Sequence, residues 1–190
     1  DTVDAADLRA GLISLQLNGG AGNDTLIGSA GDDLVNGGQG NDVALLGPGN
    51  DTFVWNPGDA SDIVEGQGGN DTLLFNGANI SERIDISANG GRVRFTRDIA
   101  TVTMDLNGVE NITFTARGGA DTITVNDLSG TDVTQVNIDL AATPGTGTGD
   151  GAADNVVVNG TAGDDVVVVS GSAGNATVAG LAAQVNIIGA

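Results

Sequence analysis

From residue 19 a single apolar position recurs every nine residues, at Leu26, Val35, Ala44 and Phe53. Two places before each stands an aspartate: Asp24, Asp33, Asp42 and Asp51. Two places before each aspartate stands a glycine: Gly22, Gly31, Gly40 and Gly49. Gly19, Gly28 and Gly37 open the first three units, and Leu46 interrupts that series. The next unit, WNPGDASDIV, is longer and puts Asp62 eleven residues after Asp51; the step of nine returns in GQGGNDTLL with Asp71. One inward apolar residue between polar, glycine-rich turns predicts very short strands. A nine-residue unit of this kind is half a coil, so every second turn stacks on the same side. Repetition at a fixed period predicts a solenoid.

The pattern divides the chain into 1–17, 18–79, 80–117 and 118–190. Residues 1–17 alternate apolar residues at Leu12, Ile13, Leu15 and Leu17. They predict a strand or short helix that covers the open end of the roll, as solenoids require. From residue 80, IDIS-ANGG-RVRFTR predicts a β-hairpin turning at Asn89-Gly90. TVTMDL and ENITFTA follow with period-two alternation. Four arginines, Arg83, Arg92, Arg94 and Arg97, surround Phe95. They could present a ligand face; the plainer reading is a hairpin whose arginines pair with nearby acids. GGADTITVN, from Gly118, looks like the repeat unit one residue short, and DVTQVNIDL, ADNVVVNG, GDDVVVVSG, ATVAG and QVNIIG predict further solenoid-like coils. The loop AATPGTGTGDGAAD separates two of these runs.

The chemistry follows from the stacking. Glycine tolerates positive φ and close backbone approach, so the turns can be tight, with carbonyls pointing to one side. The short aspartate carboxylate reaches the same place. Stacked turns align Asp24 above Asp42 and Asp33 above Asp51, roughly one strand spacing apart, about 5 Å. Bare carboxylates so close repel, and a hard divalent cation between them removes the repulsion. Calcium takes oxygen ligands in flexible geometry. The charge agrees: the formal net charge is -19. Residues 18–79 carry eight Asp and Glu65 with no basic residue, and residues 118–190 carry eight Asp with none. About four calcium ions would return roughly +8 to the first of these segments. A nucleic-acid partner is excluded, since nothing would neutralise phosphates, and so is an anionic membrane surface. No apolar run has the length of a membrane-spanning helix. With no cysteine there are no disulfides, and bound metal is the obvious substitute for them.

These units resemble the RTX (hemolysin-type) nonapeptide G-G-x-G-x-D-x-U-x. The resemblance implies an all-β fold, a right-handed parallel β-roll or β-solenoid, here with an inserted hairpin region and further coils. It implies several Ca2+ ions between same-side turns, held by aspartate carboxylates and turn carbonyls. Carried over, the carboxylate pairs are Asp24 with Asp42, Asp33 with Asp51, Asp42 with Asp62, and Asp51 with Asp71. The first two are expected to be the strongest, the others crossing the two-residue insertion. The candidate carbonyls belong to Gly20, Gly22, Gly31, Gly37, Gly38, Gly40, Gly47, Gly49, Gly68 and Gly69. Ser29, Leu46 and Gln67 depart from glycine, which is expected to matter little if carbonyls are the ligands. A further calcium site is a hypothesis for Asp121, Asp150, Asp154, Asp164 or Asp165.

With no histidine, cysteine or lysine, the common triads, Schiff bases and P-loops are excluded. The acid pairs Asp59/Asp62 and Asp164/Asp165 could in principle split glycosides, but they fall in turns already accounted for. Asp105-Leu-Asn-Gly opens like an EF-hand, yet position twelve is Ala116. The chain is therefore expected not to be an enzyme. The family implies a secreted or cell-surface bacterial protein exported by type I secretion, whose module folds on meeting calcium. The alternative is an adhesive or surface-layer segment that binds an extracellular glycan or a neighbouring copy.

Overall fold

The recurring apolar residues are what the coils close around. Leu26, Val35, Ala44, Phe53, Val64 and Leu73 are all fully buried, and they open one continuous core that runs on through Ile112, Ile123, Val136 and Val185. The computed structural model describes residues 1–11 and 13–190; Leu12 of the N-terminal alternation lies outside them.

Two nine-stranded sheets face each other, with strands numbered along the chain. The first runs, in spatial order, β1 (Thr2–Asp4), β3 (Thr25–Ile27), β5 (Val43–Gly49), β7 (Ile63–Gly69), β11 (Val102–Asn107), β10 (Arg92–Arg97), β9 (Arg83–Asn89), β13 (Thr122–Val125) and β15 (Asn155–Val158). The second runs β2 (Gln16–Ala21), β4 (Leu34–Gln39), β6 (Thr52–Trp55), β8 (Thr72–Asn76), β12 (Asn111–Thr115), β14 (Gln135–Asp139), β18 (Gln184–Ile188), β17 (Asn175–Ala179) and β16 (Val168–Ser172). Up to β8 the chain alternates between sheets, and each strand pairs in parallel with the strand one coil later. The register stacks equivalent residues, as in Val35 on Phe53 on Leu73. The two extra residues of the longer unit are absorbed in a bulge. Asn56 N–H donates to Asp59 Oδ2 (2.8 Å) and Trp55 Nε1 to Ala60 O (2.7 Å), so the coil beneath keeps its register.

The N-terminal segment takes the strand option: β1 pairs in parallel with β3. The hairpin is β9–β10, with Arg92 opposite Asn89, so its central residues are Gly90-Gly91 and not Asn89-Gly90. Gly90 supplies the positive φ (68°) that such a tight turn demands at its first central position. Strand β11 returns antiparallel to β10 and rejoins the roll by pairing in parallel with β7, while β13 continues from β9. Of the C-terminal runs, β13 with β15 and β14 with β18 stack in parallel. The last three strands instead form an antiparallel meander, because the Gly174 turn (φ 81°) folds β17 directly back on β16.

Four aromatic side chains, Trp55, Phe75, Phe95 and Phe114, pack together in the core. Trp55 stacks on Phe75 (centroids 4.0 Å, 3° between planes), and Phe95 tilts over the same ring at 4.4 Å. Phe95 is fully buried, Arg92 pairs with Glu65 and Asp105, and Arg97 pairs with Glu82. The hairpin arginines thus follow the plainer reading for those two residues, and Phe95 is core.

Candidate metal sites

Each turn ends in a carboxylate that is nearly inaccessible to water. Asp24, Asp33, Asp42, Asp51, Asp62 and Asp71 are all 4% exposed or less. At one edge of the roll, Asp24 N–H donates to Asp42 Oδ1 (2.7 Å) and Asp42 N–H to Asp62 Oδ1 (2.9 Å). At the opposite edge, Asp33 N–H donates to Asp51 Oδ1 (2.7 Å) and Asp51 N–H to Asp71 Oδ1 (2.8 Å). All four sequence-predicted pairs are therefore brought together. The two that cross the insertion keep the contact of the two that do not, because the bulge at Asn56–Ala60 lies outside the stack.

Each bond uses only one oxygen. Oδ2 of Asp24, Asp42, Asp51, Asp62 and Asp71 is buried without a hydrogen-bond partner. A buried carboxylate oxygen without a partner is costly, so five in register point to a ligand. Burial above all, then neighbouring carboxylates, pushes Asp51 and Asp62 up to about 7 and Asp71 to about 6, against the bonds they accept from backbone N–H groups. Asp42 is raised for the same reasons.

The surroundings supply further oxygens. A Cβ on Gly19 would lie 2.8 Å from Asp24 Oδ2 and 2.4 Å from Gly37 O. On Gly66 it would lie 2.6 Å from Asp71 Oδ2 and 1.7 Å from Gly108 O. Carboxylate and next-coil carbonyl thus converge beside the first glycine of a turn. At the second and fourth positions, Gly20 O and Gly22 O press on Gly38 and Gly40, and Gly31 O and Gly49 O on Gly49 and Gly69. Of the predicted carbonyl set, those of Gly20, Gly22, Gly31, Gly37 and Gly49 face a stacked neighbour in this way. A Cβ on Gly68 would meet nothing within 4 Å. Among the described residues no three carboxylates cluster. A cation would be held by two carboxylates and carbonyls, a donor set of hard oxygens that suits calcium.

Asp33 departs from the expectation that it belongs to one of the strongest pairs. Ser29 N–H donates to its Oδ2 (2.6 Å) and Ser29 Oγ to its Oδ1 (3.1 Å). The serine that replaces glycine therefore does matter, through its side chain and N–H rather than its carbonyl.

Sequence reasoning missed two further members of the stacks, Glu110 and Glu82, and held Asp121 and Asp154 only as candidates. Glu110 extends one edge, accepting from Asp71 N–H through Oε2 (2.7 Å). Glu82 starts another stack, its N–H donating to Asp121 Oδ1 (2.7 Å). Asp121 N–H in turn donates to Asp154 Oδ1 (2.9 Å). Both glutamates sit two places before a buried isoleucine, Ile112 and Ile84, the same spacing as the aspartates, and that is the signal that finds them. Asp150 joins the Asp121 turn by accepting from Gly119 N–H (2.7 Å). Asp165 does not: it is exposed and bonded to Thr161 N–H and Oγ1, both at 2.8 Å. The neighbouring Asp164 is likewise exposed.

Residues 18–53 and 58–79 match the RTX calcium-binding nonapeptide repeat, in four copies. No curated protein matches the chain. Among solved structures, the extracellular lipase LipA from Serratia marcescens is similar at 16% identity and a TM-score of 0.41, over 90% of this chain. The chain spans 38% of that protein's length.

Proposed function

Since residues 18–53 and 58–79 of this chain are RTX nonapeptide repeats, and these repeats bind calcium, we propose that calcium drives the chain to fold and then holds it folded. The observation that carries this reading is the row of buried, unpartnered Oδ2 atoms at Asp24, Asp42, Asp51, Asp62 and Asp71. Calcium bound there supplies the positive charge and oxygen coordination that stacked carboxylates otherwise lack. The carboxylates of Asp24 with Asp42, Asp42 with Asp62, and Asp51 with Asp71 are the principal ligands, joined by turn carbonyls. The Asp33–Asp51 step is the weakest, because Ser29 already occupies Asp33. Without the ion the same carboxylates stay in a low-dielectric stack beside like charges, which favours the unfolded chain.

The module is structural rather than catalytic: its buried acids are committed to turns, and the chain has no histidine, cysteine or lysine. It belongs outside a bacterial cell, carried by a type I-secreted protein that stays unfolded where calcium is scarce. Weak sites of the extracellular kind suit that task. Isothermal titration calorimetry tests the ligand assignment. Asp42→Asn, shared by two steps, should remove about two calcium ions, and Asp33→Asn at most one. Equal losses from both variants would contradict it.

One observation favours the alternative of self-association. Val168 and Val169, on the edge strand β16, are 58% and 69% exposed, and Val166, just before it, is 82% exposed. They follow the turn GTAGDD, whose Thr161–Asp165 bonds repeat those of Ser29–Asp33 in GSAGDD. In the roll that turn is covered by another coil; here a second copy of the chain would supply it. Sedimentation velocity in calcium should show dimers or longer species that Val168→Lys abolishes. A monomer at all concentrations rules this alternative out.

A further inference from the structure

One more buried carboxylate oxygen lacks a partner, and it lies outside the matched repeats: Oδ2 of Asp121, a residue 1% exposed. Its turn is Ala116–Asp121, ARGGAD, followed by Thr122 and the buried Ile123. This is a unit of full length, not one residue short. It is hidden in the sequence because Ala116 and Arg117 stand at its first two positions. The backbone shows the identity. Arg117 has φ 68° where Gly20, Gly38 and Gly47 have 101°, 89° and 103°. Gly119 has φ 108° where Gly22 and Gly40 have 113° and 131°. The hydrogen bonds agree: Asp121 Oδ1 accepts the N–H of Glu82, as Asp42 Oδ1 accepts that of Asp24. Asn155 N–H donates to Asp121 O (2.8 Å) as Val43 N–H donates to Asp24 O (2.9 Å).

We propose that the stacked turns at residues 116–121 and 149–154 hold a further calcium ion between the carboxylates of Asp121 and Asp154, joined by turn carbonyls, with Asp150 bracing the turn through the N–H groups of Gly119 and Ala152 (both 2.7 Å); this rests on the calcium reading of the roll. Asp154 is the carboxylate of the next coil, bonded to Asp121 N–H. Asp150 reaches the same turn from the second position of its own unit, GDGAAD, where Gly118 leaves room for it. A Cβ on Gly118 would lie 3.3 Å from Asp150 Oδ2. No basic residue follows Arg117 in the chain, so no side-chain cation of residues 118–190 competes for this place.

The other end of the same stack explains why one ion suffices. Glu82 is fully satisfied. Its Oε1 pairs with Arg97 Nε and its Oε2 accepts from Ala78 N–H (3.0 Å). Arg97 is 5% exposed and lies over the Trp55 ring at 5.3 Å. A built-in guanidinium therefore takes the first step of this stack, where the hairpin interrupts the coils. The step from Asp121 to Asp154 has no such cation.

Equilibrium dialysis with calcium on the whole chain, read beside hydrogen exchange of peptides covering residues 116–126 and 149–158, tests the inference. Wild type should bind one more calcium ion than Asp121→Asn, and calcium should protect those peptides in wild type only. Protection of residues 18–79 should survive in the variant. Asp150→Asn, a partly exposed position, should keep the fold and weaken that one site by roughly tenfold. If both variants keep wild-type stoichiometry and protection while the roll still binds calcium, this inference falls and the roll reading stands. If wild type binds no calcium, both fall.

Discussion

At the residue scale, the glycines of the repeat have two separate duties, and substitutions tell them apart. Gly20 and Gly38 hold the same position and the same left-handed backbone, with φ of 101° and 89°. A Cβ on Gly20 meets nothing within 4 Å, whereas on Gly38 it falls 2.2 Å from Gly20 O. Gly20→Ala should therefore cost only the backbone penalty, about 1–2 kcal/mol. Gly38→Ala adds a backbone collision, for about 2–5 kcal/mol in all. Urea unfolding in saturating calcium measures both, and equal losses would mean that the coils are not stacked this closely. The converse change applies to Gln67 (φ 71°) and Arg117 (φ 68°), non-glycine residues at that position. Gln67→Gly and Arg117→Gly should each stabilise by about 1 kcal/mol, a rise in melting temperature of roughly 2–4 °C.

At the element scale, the unit of stability is the stack of turns rather than the strand. Burial raises Asp51, Asp62 and Asp121 to about 7 and Asp71 to about 6 in the metal-free fold. In the unfolded chain these groups titrate near the ordinary aspartate value, about 3.9. Between about pH 4 and pH 7 the folded chain therefore binds more protons than the unfolded one, and its stability falls as pH rises through that window. In chelator, circular dichroism should therefore show a larger folded fraction at pH 5 than at pH 7.5. Calcium needs the carboxylates ionised, so its stabilising effect should run the other way and fade below about pH 6. Stability in chelator that rises from pH 5 to pH 7.5 would contradict the buried, unpartnered state of these oxygens. Much of this element was legible in the sequence. Asp24, Asp42 and Asp51 could be placed because each stands two residues before an apolar position in an unbroken period. Glu82 and Glu110 could not, because each is a glutamate in a turn that keeps only one glycine of the period, Gly77 or Gly108, and Asp121 was legible only as a candidate because Ala116 and Arg117 stand at the first two positions of its turn. The blocking of Asp33 by Ser29 was also invisible, since it depends on a side-chain rotamer within one turn.

At the scale of the whole molecule, one core runs from Leu17 to Val185 through parallel coils, the hairpin and the C-terminal strands. The alternation of apolar residues made an all-β roll readable from the chain. It did not disclose that β9 overshoots the stack, that β10 and β11 fill the gap, or that β16–β18 end in a meander. Those outcomes depend on which edges pair, and residue period alone does not specify that. Against this core stands a formal charge of -19, much of it in buried turns. Self-repulsion on that scale opposes the compact state unless cations relieve it. The most direct measurement is far-ultraviolet circular dichroism of the whole chain during calcium titration and then chelation. At pH 7.5 the account predicts a disordered spectrum in chelator, a cooperative gain of β signal as calcium is added, and reversal when the chelator returns. A full β spectrum in chelator that calcium leaves unchanged would contradict it.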